Sequence, residues 1–244
     1  MPSLRRVITV LAIAAVPTSA GAQVTLIDFE FIQGPQSSQP IGNYYNGGFS
    51  GGPTPAGPGP NLGVTFSSNA LGVCREDLPG CGGNFAGAPT PRGILFFLGG
   101  SAATLNYDGG FTTGFSFFYT AINQPGFVRV FDGLDATGSL LATITLPTTA
   151  STPGVGPCAD NPGGQFCPFV PIGVSFAGTA RSIDFGGTIN QIGFDNITFG
   201  SAVPCESNGS CSVVPEPSTY ALLAAGLAGL AAVSRRRRGP AAHA

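Results

Sequence analysis

The chain has 244 residues, of which 43% are hydrophobic, only 9% are charged and 38 are glycine. Lysine is absent, and six of the ten arginines lie near the two ends, so residues 23–213 carry four arginines against eleven carboxylates, a net charge of −7. This balance disfavours nucleic-acid binding, which needs basic groups to displace counterions from phosphates. The only histidine is His243. The body therefore cannot hold a Ser-His-Asp relay, a histidine metal site or a lysine phosphate loop.

The first 22 residues have the pattern of a secretory signal peptide. Arg5 and Arg6 form a positive start, Val7–Val16 forms an apolar core, and Ala20-Gly21-Ala22 provides small residues for cleavage. The apolar core is too short for a spanning helix. We expect signal peptidase to cut after Ala22 and leave Gln23 as the first mature residue; a retained membrane anchor is the alternative.

Strand signals begin directly after this segment. The first half of the body has four predicted strands: Val24–Ile32, Leu62–Ser67, Gly93–Leu98 and Ala103–Tyr107. The residues from Gly34 to Pro60 form a long loop rich in glycine and proline, with one aromatic island at Tyr44-Tyr45-Asn46. A loop of this length is either functional or mobile.

The second half continues with short strands. Asp108-Gly109-Gly110 is a hairpin signal between Ala103–Tyr107 and the next strand. In Phe127–Phe131, the valines at 128 and 130 share one face and Arg129 lies on the other. By the same rule Asp195, Ile197 and Phe199 share a face. The predicted strands are Phe111–Thr120, Phe127–Phe131, Ser139–Leu146, Val170–Phe176, Ser182–Phe185 and Gln191–Phe199.

Nine or ten short strands at this spacing predict an all-β fold, an antiparallel β-sandwich with jelly-roll-like topology. We expect the sandwich to occupy residues 23–202 and to be followed by a cysteine-containing linker at 203–213. Phenylalanines would fill its core, and the first and last strands would be neighbours.

The six cysteines form three close pairs: Cys74 and Cys81, Cys158 and Cys167, and Cys205 and Cys211. An export signal and an even number of cysteines predict disulfides. Six cysteines allow 15 pairings, so the sequence alone does not decide between them, although pairing within each local pair is the simplest. A cysteine metal site is the alternative, and no CxxC motif supports it.

Three carboxylates are candidates for a structural calcium site. Asp28 and Glu30 lie in the first predicted strand and Asp195 in the last, so a jelly roll could bring them together. Carboxylate and carbonyl oxygens are the ligands that calcium prefers. The alternative is that Asp195 caps a turn or accepts backbone N–H bonds.

Carbohydrate contact would come from exposed aromatic and amide side chains, and Tyr44, Tyr45 and Asn46 are the candidates. The alternative is that one tyrosine packs over the edge of the sandwich. A glycosidase would need two carboxylates at a set separation. No pair stands out among Glu30, Glu76, Asp77 and Glu206, so we predict no catalytic residues and no enzyme activity.

The C-terminal end has a motif of three parts in a fixed order. The triplet Pro215, Glu216 and Pro217 precedes a short apolar stretch, Thr219–Val233, which predicts a helix. A cluster of four arginines then follows: Arg235, Arg236, Arg237 and Arg238. This arrangement, over residues 214–238 with a tail at 239–244, resembles the PEP-CTERM sorting signal of exported bacterial proteins. The resemblance implies transient insertion in the inner membrane and processing by exosortase near the Pro-Glu-Pro triplet. An ordinary tail anchor is the alternative.

The body is also similar to a recurring type of PEP-CTERM exported protein. Five segments carry this resemblance: Ile27–Glu30, Gly93–Leu98, Gly114–Tyr119, Val130–Asp135 and Phe194–Thr198. It implies a non-enzymatic structural or adhesive protein of the cell surface or extracellular matrix, with polysaccharide as the expected partner. A surface glycan hydrolase using paired carboxylates and a calcium-stabilised spacer domain are the alternatives.

Overall fold

A computed structural model describes residues 24–30, 38–149, 154–159, 166–206, 208, 210–211 and 223–230. The expected signal peptide and the Pro-Glu-Pro and arginine segments lie outside these residues. The described body contains twelve β-strands and one short 3-10 helix, Gly156–Cys158. All pairings between named strands are antiparallel, and the strands form two sheets. The predicted antiparallel β-sandwich is therefore confirmed.

The larger sheet has seven strands in the order β10-β7-β12-β5-β4-β2, with β1 also paired to β12. Its strands are β1 (Thr25–Ile27), β2 (Ser38–Pro40), β4 (Leu71–Cys74), β5 (Gly93–Phe96), β7 (Gly114–Ala121), β10 (Val170–Ser175) and β12 (Ile192–Phe199). Ile27 lies opposite Ile197, so the first and last strands are neighbours, as expected.

The smaller sheet has five strands in the order β3-β6-β11-β8-β9. Its strands are β3 (Val64–Phe66), β6 (Ala102–Phe111), β8 (Gly126–Phe131), β9 (Leu140–Leu146) and β11 (Ala180–Gly187). Side chains alternate across each strand, so one face of each sheet supplies the shared core and the other faces outward.

Phenylalanine dominates the core between the sheets, as the composition predicts. The ring centroids of Phe117 and Phe194 lie 5.6 Å apart, and those of Phe185 and Phe194 lie 4.9 Å apart, both in edge-to-face arrangements. Such pairs are favourable beyond the area that they bury. Because Phe185 belongs to the smaller sheet and Phe194 to the larger, these contacts join the two layers.

The hairpin predicted at Asp108-Gly109-Gly110 is wrong. Ala180 pairs with Phe111 and Ser182 with Asn106, so β6 bulges at 107–110 and then continues. The chain turns instead at Thr112 and Thr113 and passes into the other sheet. Thr113 has a φ of 74°, and its hydroxyl donates to the Gly200 carbonyl at 2.7 Å. The tertiary pairing thus overrides the local turn signal.

The face predicted for Asp195 is also wrong. An extra residue is accommodated between Asp195 and Thr198, where Asn196 has a φ of 48°. This bulge directs Ile197 and Phe199 into the core together with Phe194. Asp195 lies opposite Phe118, on the outer face of the larger sheet.

Candidate functional site

A groove of about 410 Å³ lies on the outer face of the larger sheet. Two strand-connecting segments, closed by the disulfides Cys74–Cys81 and Cys158–Cys167, cover this face. They enclose a second, smaller apolar cluster that includes Val73, Phe85 and Ile94. The groove runs beside this cluster.

The floor of the groove comes from three adjacent strands. In β5, Leu95 faces the central core, so Ile94 and Phe96 face outward. Gly193 of β12 lies beside them, and a Cβ at this position would be 2.8 Å from Cδ1 of Ile94. The absence of a side chain at Gly193 therefore keeps the floor open.

The wall of the groove joins residues that are distant in the sequence. Phe85 and Phe166 form a parallel β-bridge. The Ala86 amide donates to the Phe166 carbonyl at 3.1 Å, and the Phe166 amide donates to the Asn84 carbonyl at 3.4 Å. Phe85 is buried, whereas Phe166 is partly exposed. The two cystine-closed segments are thus held to each other along the groove.

The accessible lining of the groove combines aromatic, aliphatic and polar side chains. Phe96 and Phe166 are both half-buried, and Leu98 is 46% exposed at the margin. Ser38, Asn84 and Asn190 supply hydroxyl and amide groups. An apolar surface with a few polar groups is typical of binding sites for small molecules and polymers.

The three carboxylates predicted to bind calcium lie near one another. Thr90 joins two of their segments, because its hydroxyl contacts the Asp28 carbonyl at 3.0 Å and Oδ2 of Asp195 at 2.8 Å. Glu30 accepts hydrogen bonds from the amides of Arg92 and Gly93 at 2.8 and 3.2 Å. These contacts fasten the start of β5 to both terminal strands.

Asp195 is fully buried at this junction. Its Oδ2 also accepts the Thr90 amide at 3.0 Å, and its Oδ1 accepts the Asn196 amide at 2.8 Å. Burial raises the pKa of Asp195 well above its ordinary value of 3.8, and these hydrogen bonds oppose the shift. Burial likewise raises the pKa of Glu30. Asp195 therefore accepts backbone N–H bonds, which was the alternative to calcium binding.

Among the described residues, no group of three histidine, cysteine, aspartate or glutamate side chains is arranged to hold a metal ion. Calcium binding by Asp28, Glu30 and Asp195 stays a prediction. Of the other carboxylates considered, Asp77 forms an ion pair with Arg75 at 2.6 Å, and Glu76 is exposed in the same cystine-closed segment.

The expected exposed platform at Tyr44, Tyr45 and Asn46 is wrong for the two tyrosines. Tyr44 is 6% exposed and Tyr45 is 4% exposed, and both belong to the central core. The Phe29 amide donates to the Tyr45 hydroxyl at 3.1 Å. The long loop folds across one end of the sandwich and buries both rings there, which leaves only Asn46 exposed.

All three disulfides form within the local pairs, including Cys205–Cys211. Asn196 donates from Nδ2 to the Cys205 carbonyl at 3.0 Å, and the Cys205 amide donates to the Thr198 hydroxyl at 3.0 Å. The bulge of β12 thus holds the third cystine against the sandwich.

Residues 223–230 are helical and lie within the predicted helix Thr219–Val233. No described helix combines the length and the apolar character needed to cross a membrane. The other residues of the predicted sorting motif lie outside the described residues, namely Pro215, Glu216, Pro217, Arg235, Arg236, Arg237 and Arg238.

Sequence reasoning missed the groove. Phe96 lies in the continuous apolar run Gly93–Leu98, which predicts a buried strand and gives no alternation to mark an outer face. Phe85 and Phe166 had no strand signal, because each lies in an irregular segment and the two are brought together only by the fold. The nearest cysteines, Cys81 and Cys167, are the local indication that these segments are ordered.

A family model described as the PEP-CTERM protein-sorting motif matches residues 213–238, a range that includes the triplet and all four arginines of the cluster. No curated protein matches the chain. The K2 cleaved adhesin domain of Lys-gingipain is similar at 12% identity over 73% of this chain and 98% of that chain, with a TM-score of 0.44.

Two carbohydrate-binding modules are also similar. A family 29 module, solved with cellulohexaose, has 15% identity over 75% of this chain and 96% of that chain, with a TM-score of 0.32. A family 6 module from Clostridium stercorarium, solved with cellobiose, has 16% identity over 53% and 92%, also with a TM-score of 0.32. At these TM-scores the likenesses assign no ligand to this chain.

Proposed function

Because this chain carries the PEP-CTERM protein-sorting motif of exported, exosortase-sorted proteins, we propose that it is a non-enzymatic component of the cell surface or extracellular matrix. Its role is structural or adhesive, and the groove on the larger sheet binds a polysaccharide chain. The partly exposed rings of Phe96, in the floor of the groove, and Phe166, in its wall, are the observation that carries this proposal.

The sorting segment suits a temporary stay in the inner membrane. As a helix, Thr219–Val233 would be about 22 Å long, whereas the hydrocarbon core of a bilayer is about 30 Å thick. The arginines that follow would stay on the cytoplasmic side. Signal peptidase removes the N-terminal segment, and exosortase then cuts near Pro215-Glu216-Pro217.

The chemistry of the groove matches that of a sugar chain. Each sugar ring has an apolar face of C–H groups, which packs against an aromatic ring, and hydroxyl groups at its edge. Phe96 and Phe166 offer such aromatic surfaces, while Asn84 and Asn190 place amides at the margin. The lining side chains are uncharged, and the body has a net charge of −7. An uncharged polysaccharide therefore fits better than a polyanionic one.

The test compares Phe96→Ala and Phe166→Ala with Phe49→Ala, which removes a ring that is 55% exposed outside the groove. Each groove substitution should weaken binding to uncharged polysaccharides about fivefold, because an aromatic contact contributes roughly 1 kcal/mol. Phe49→Ala should bind normally. Isothermal titration with the full chain in mild detergent measures the affinities. Equal affinities in the three variants and the unchanged protein would rule out the groove as the polysaccharide-binding site.

A further inference from the structure

We propose that the outer edge of strand β9 pairs with the same strand of a second copy of this chain, so that two smaller sheets join into one continuous sheet. β9 has seven residues, Leu140–Leu146, and lies at one edge of the smaller sheet. Its other side is paired with β8 along its length. An edge strand presents a row of N–H and C=O groups that is a template for another strand. The chemistry of this edge therefore requires an extended chain as its partner.

The opposite edge of the smaller sheet is closed by the chain itself. The strand at that edge, β3, has only three residues. The Phe66 amide donates to the Gly42 carbonyl at 2.9 Å, and the Val64 amide donates to the Tyr45 carbonyl at 3.4 Å. The long loop thus takes the hydrogen bonds that a further strand would need.

Both edges of the larger sheet are protected as well. β2 has three residues and ends at Pro40, whose carbonyl accepts the Gly51 amide at 2.8 Å. β10, at the other edge, contains Pro171, which is exposed and has no N–H to donate. Short length, proline and a covering loop are the devices by which edge strands avoid pairing with other chains.

β9 has none of these devices. It contains no proline and no charged residue. Within the part of the chain that the structure describes, no backbone group of β9 forms a hydrogen bond outside its ladder with β8. The chain also leaves this edge directly after β9, because the Thr149 amide donates to the Ala121 carbonyl in the larger sheet at 2.7 Å. β9 is therefore the edge at which this sandwich can accept a strand.

The pattern of side chains in β9 suits pairing with itself about a two-fold axis. Thr143 and Thr145 are exposed on the outer face, whereas Ile144 and Leu146 are buried and Ala142 packs against the central core. Antiparallel pairing centred on Ile144 places Thr143 of one copy opposite Thr145 of the other. It also places Ala142 opposite Leu146 on the inner face. Threonine pairs across an antiparallel ladder are favourable.

The occupant is a second copy because β9 is its own complement. In this register, threonine lies opposite threonine on the outer face and apolar side chains lie opposite apolar side chains on the inner face. The ladder contains no charge, so two bodies that each carry −7 meet without like charges in contact. Because the three other edges are closed, pairing stops at two copies and gives a symmetric dimer, the commonest kind of oligomer.

The dimer would present both grooves on the same side. The two-fold axis of such a pairing runs perpendicular to the joined sheet, so the two larger sheets lie behind it, side by side. Two grooves on one particle would bind a polysaccharide more tightly than one groove does. This consequence rests on the proposed function, whereas the dimer itself does not.

The experiment uses the full chain in mild detergent and measures particle mass by light scattering over a range of protein concentrations. Thr143→Lys/Thr145→Lys puts like charges opposite each other across the proposed ladder, and Thr143→Glu/Thr145→Glu does the same with negative charges. The matched control is Thr112→Lys/Thr179→Lys, which adds lysines at exposed positions outside β9. Thermal melting verifies that each variant folds.

We expect the unchanged protein and the control to form dimers. In each β9 variant alone, the dissociation constant of the dimer should rise at least about tenfold, because like charges face each other. An equal mixture of the two β9 variants should form dimers again, since each introduced lysine then lies opposite an introduced glutamate. All of these chains keep the sorting tail, so association through the tail would not follow this pattern.

Hydrogen exchange on the unchanged protein tests the same edge without any substitution. The amides of β9 that point away from β8 should exchange more slowly at high protein concentration than at low concentration, because pairing protects them. The amides of β3, which the long loop already closes, should exchange at the same rate at both concentrations.

Three results would overturn the inference. The first is an unchanged protein that stays monomeric at every concentration, and the second is a dimer that both β9 variants form as tightly as the control does. The third is a mixture of the two β9 variants that does not associate, which would contradict the register of Thr143 opposite Thr145. None of the substituted residues lines the groove, so polysaccharide binding by the groove is decided separately.

Discussion

At the scale of single residues, Thr90 and Asp195 share a proton network. The Thr90 hydroxyl has one hydrogen but lies within bonding distance of both the Asp28 carbonyl and Oδ2 of Asp195. A proton on Asp195 would satisfy both contacts, because the acid would donate to the hydroxyl and the hydroxyl to the carbonyl. This arrangement agrees with the raised pKa of Asp195.

The network predicts that the sandwich loses stability as pH rises. The pKa of Asp195 is higher in the folded chain than its ordinary value of 3.8, so the folded state binds more protons between these values. The resulting stabilisation is complete below about 3.8 and is lost as pH rises through the pKa of the folded state. Burial shifts the pKa of Glu30 and Asp184 in the same direction.

Urea unfolding from pH 4 to pH 8 measures this effect. Asp195→Asn should cost about 1–3 kcal/mol at the acidic end, because the amide must place an N–H against another donor. It should also give a shallower pH dependence than the unchanged protein. Asp108→Asn, at an exposed position, is the control and should keep the original slope. If the free energy of unfolding changed with pH equally in Asp195→Asn and in the unchanged protein, the assignment of this pH dependence to Asp195 would be contradicted.

At the scale of elements, the cystine-closed segments shape the groove. Cys158→Ser/Cys167→Ser should lower the free energy of unfolding by about 2–3 kcal/mol, because the open loop gains chain entropy in the unfolded state. It should also weaken polysaccharide binding, since Phe166 is next to Cys167. Titration and urea unfolding measure the two effects.

Cys205→Ser/Cys211→Ser is the matched control for this prediction. It opens a loop of similar length, six residues apart rather than nine, and it lies outside the groove lining. It should therefore lower stability without changing affinity. Equal loss of affinity in both double variants would show that general destabilisation, and not the wall at Phe166, accounts for the result.

The elements also indicate what a sequence can predict. Alternation in β8 correctly separated Val128 and Val130 from Arg129, and the apolar run at Gly93–Leu98 correctly predicted β5. The short strands β2 and β4 were missed, because three or four residues give too little periodicity. The bulge in β12 also escaped prediction, since its extra residue is stabilised by contacts with Thr90 and Cys205 from other segments.

The candidate site was harder to predict than the fold. The sequence predicts exposed aromatic side chains at Tyr44 and Tyr45, because a loop rich in glycine and proline usually lies at the surface. That loop instead contributes both rings to the core. The groove depends on Phe85 and Phe166, whose proximity is set by packing between segments, which no local pattern encodes.

At the scale of the whole molecule, the two outer faces of the sandwich differ. The larger sheet is covered by cystine-closed segments and holds the groove, whereas the smaller sheet carries Arg129 stacked on Phe127 at its outer face. The protein also carries a motif that directs its sorting.

Processing of the two ends predicts the termini of the mature protein. Mass spectrometry of the exported form should find Gln23 at its start and should find no peptide from Arg235–Arg238, because processing removes both ends. The unreduced body should weigh less than the reduced body by two hydrogens for each of three cystines. A purified surface form that retains the arginine cluster would contradict exosortase processing.

The third cystine limits the distance between the sandwich and its processing site. Cys205 is hydrogen-bonded to the bulge of β12, and its Cα lies only 4.3 Å from that of Cys211. The four residues from Cys211 to Pro215 can then span at most about 14 Å. Under the proposed function, the folded body would therefore lie within about 14 Å of the processing triplet while the tail is held in the inner membrane. Exosortase would then have to reach the bond that it cuts between the folded body and the bilayer.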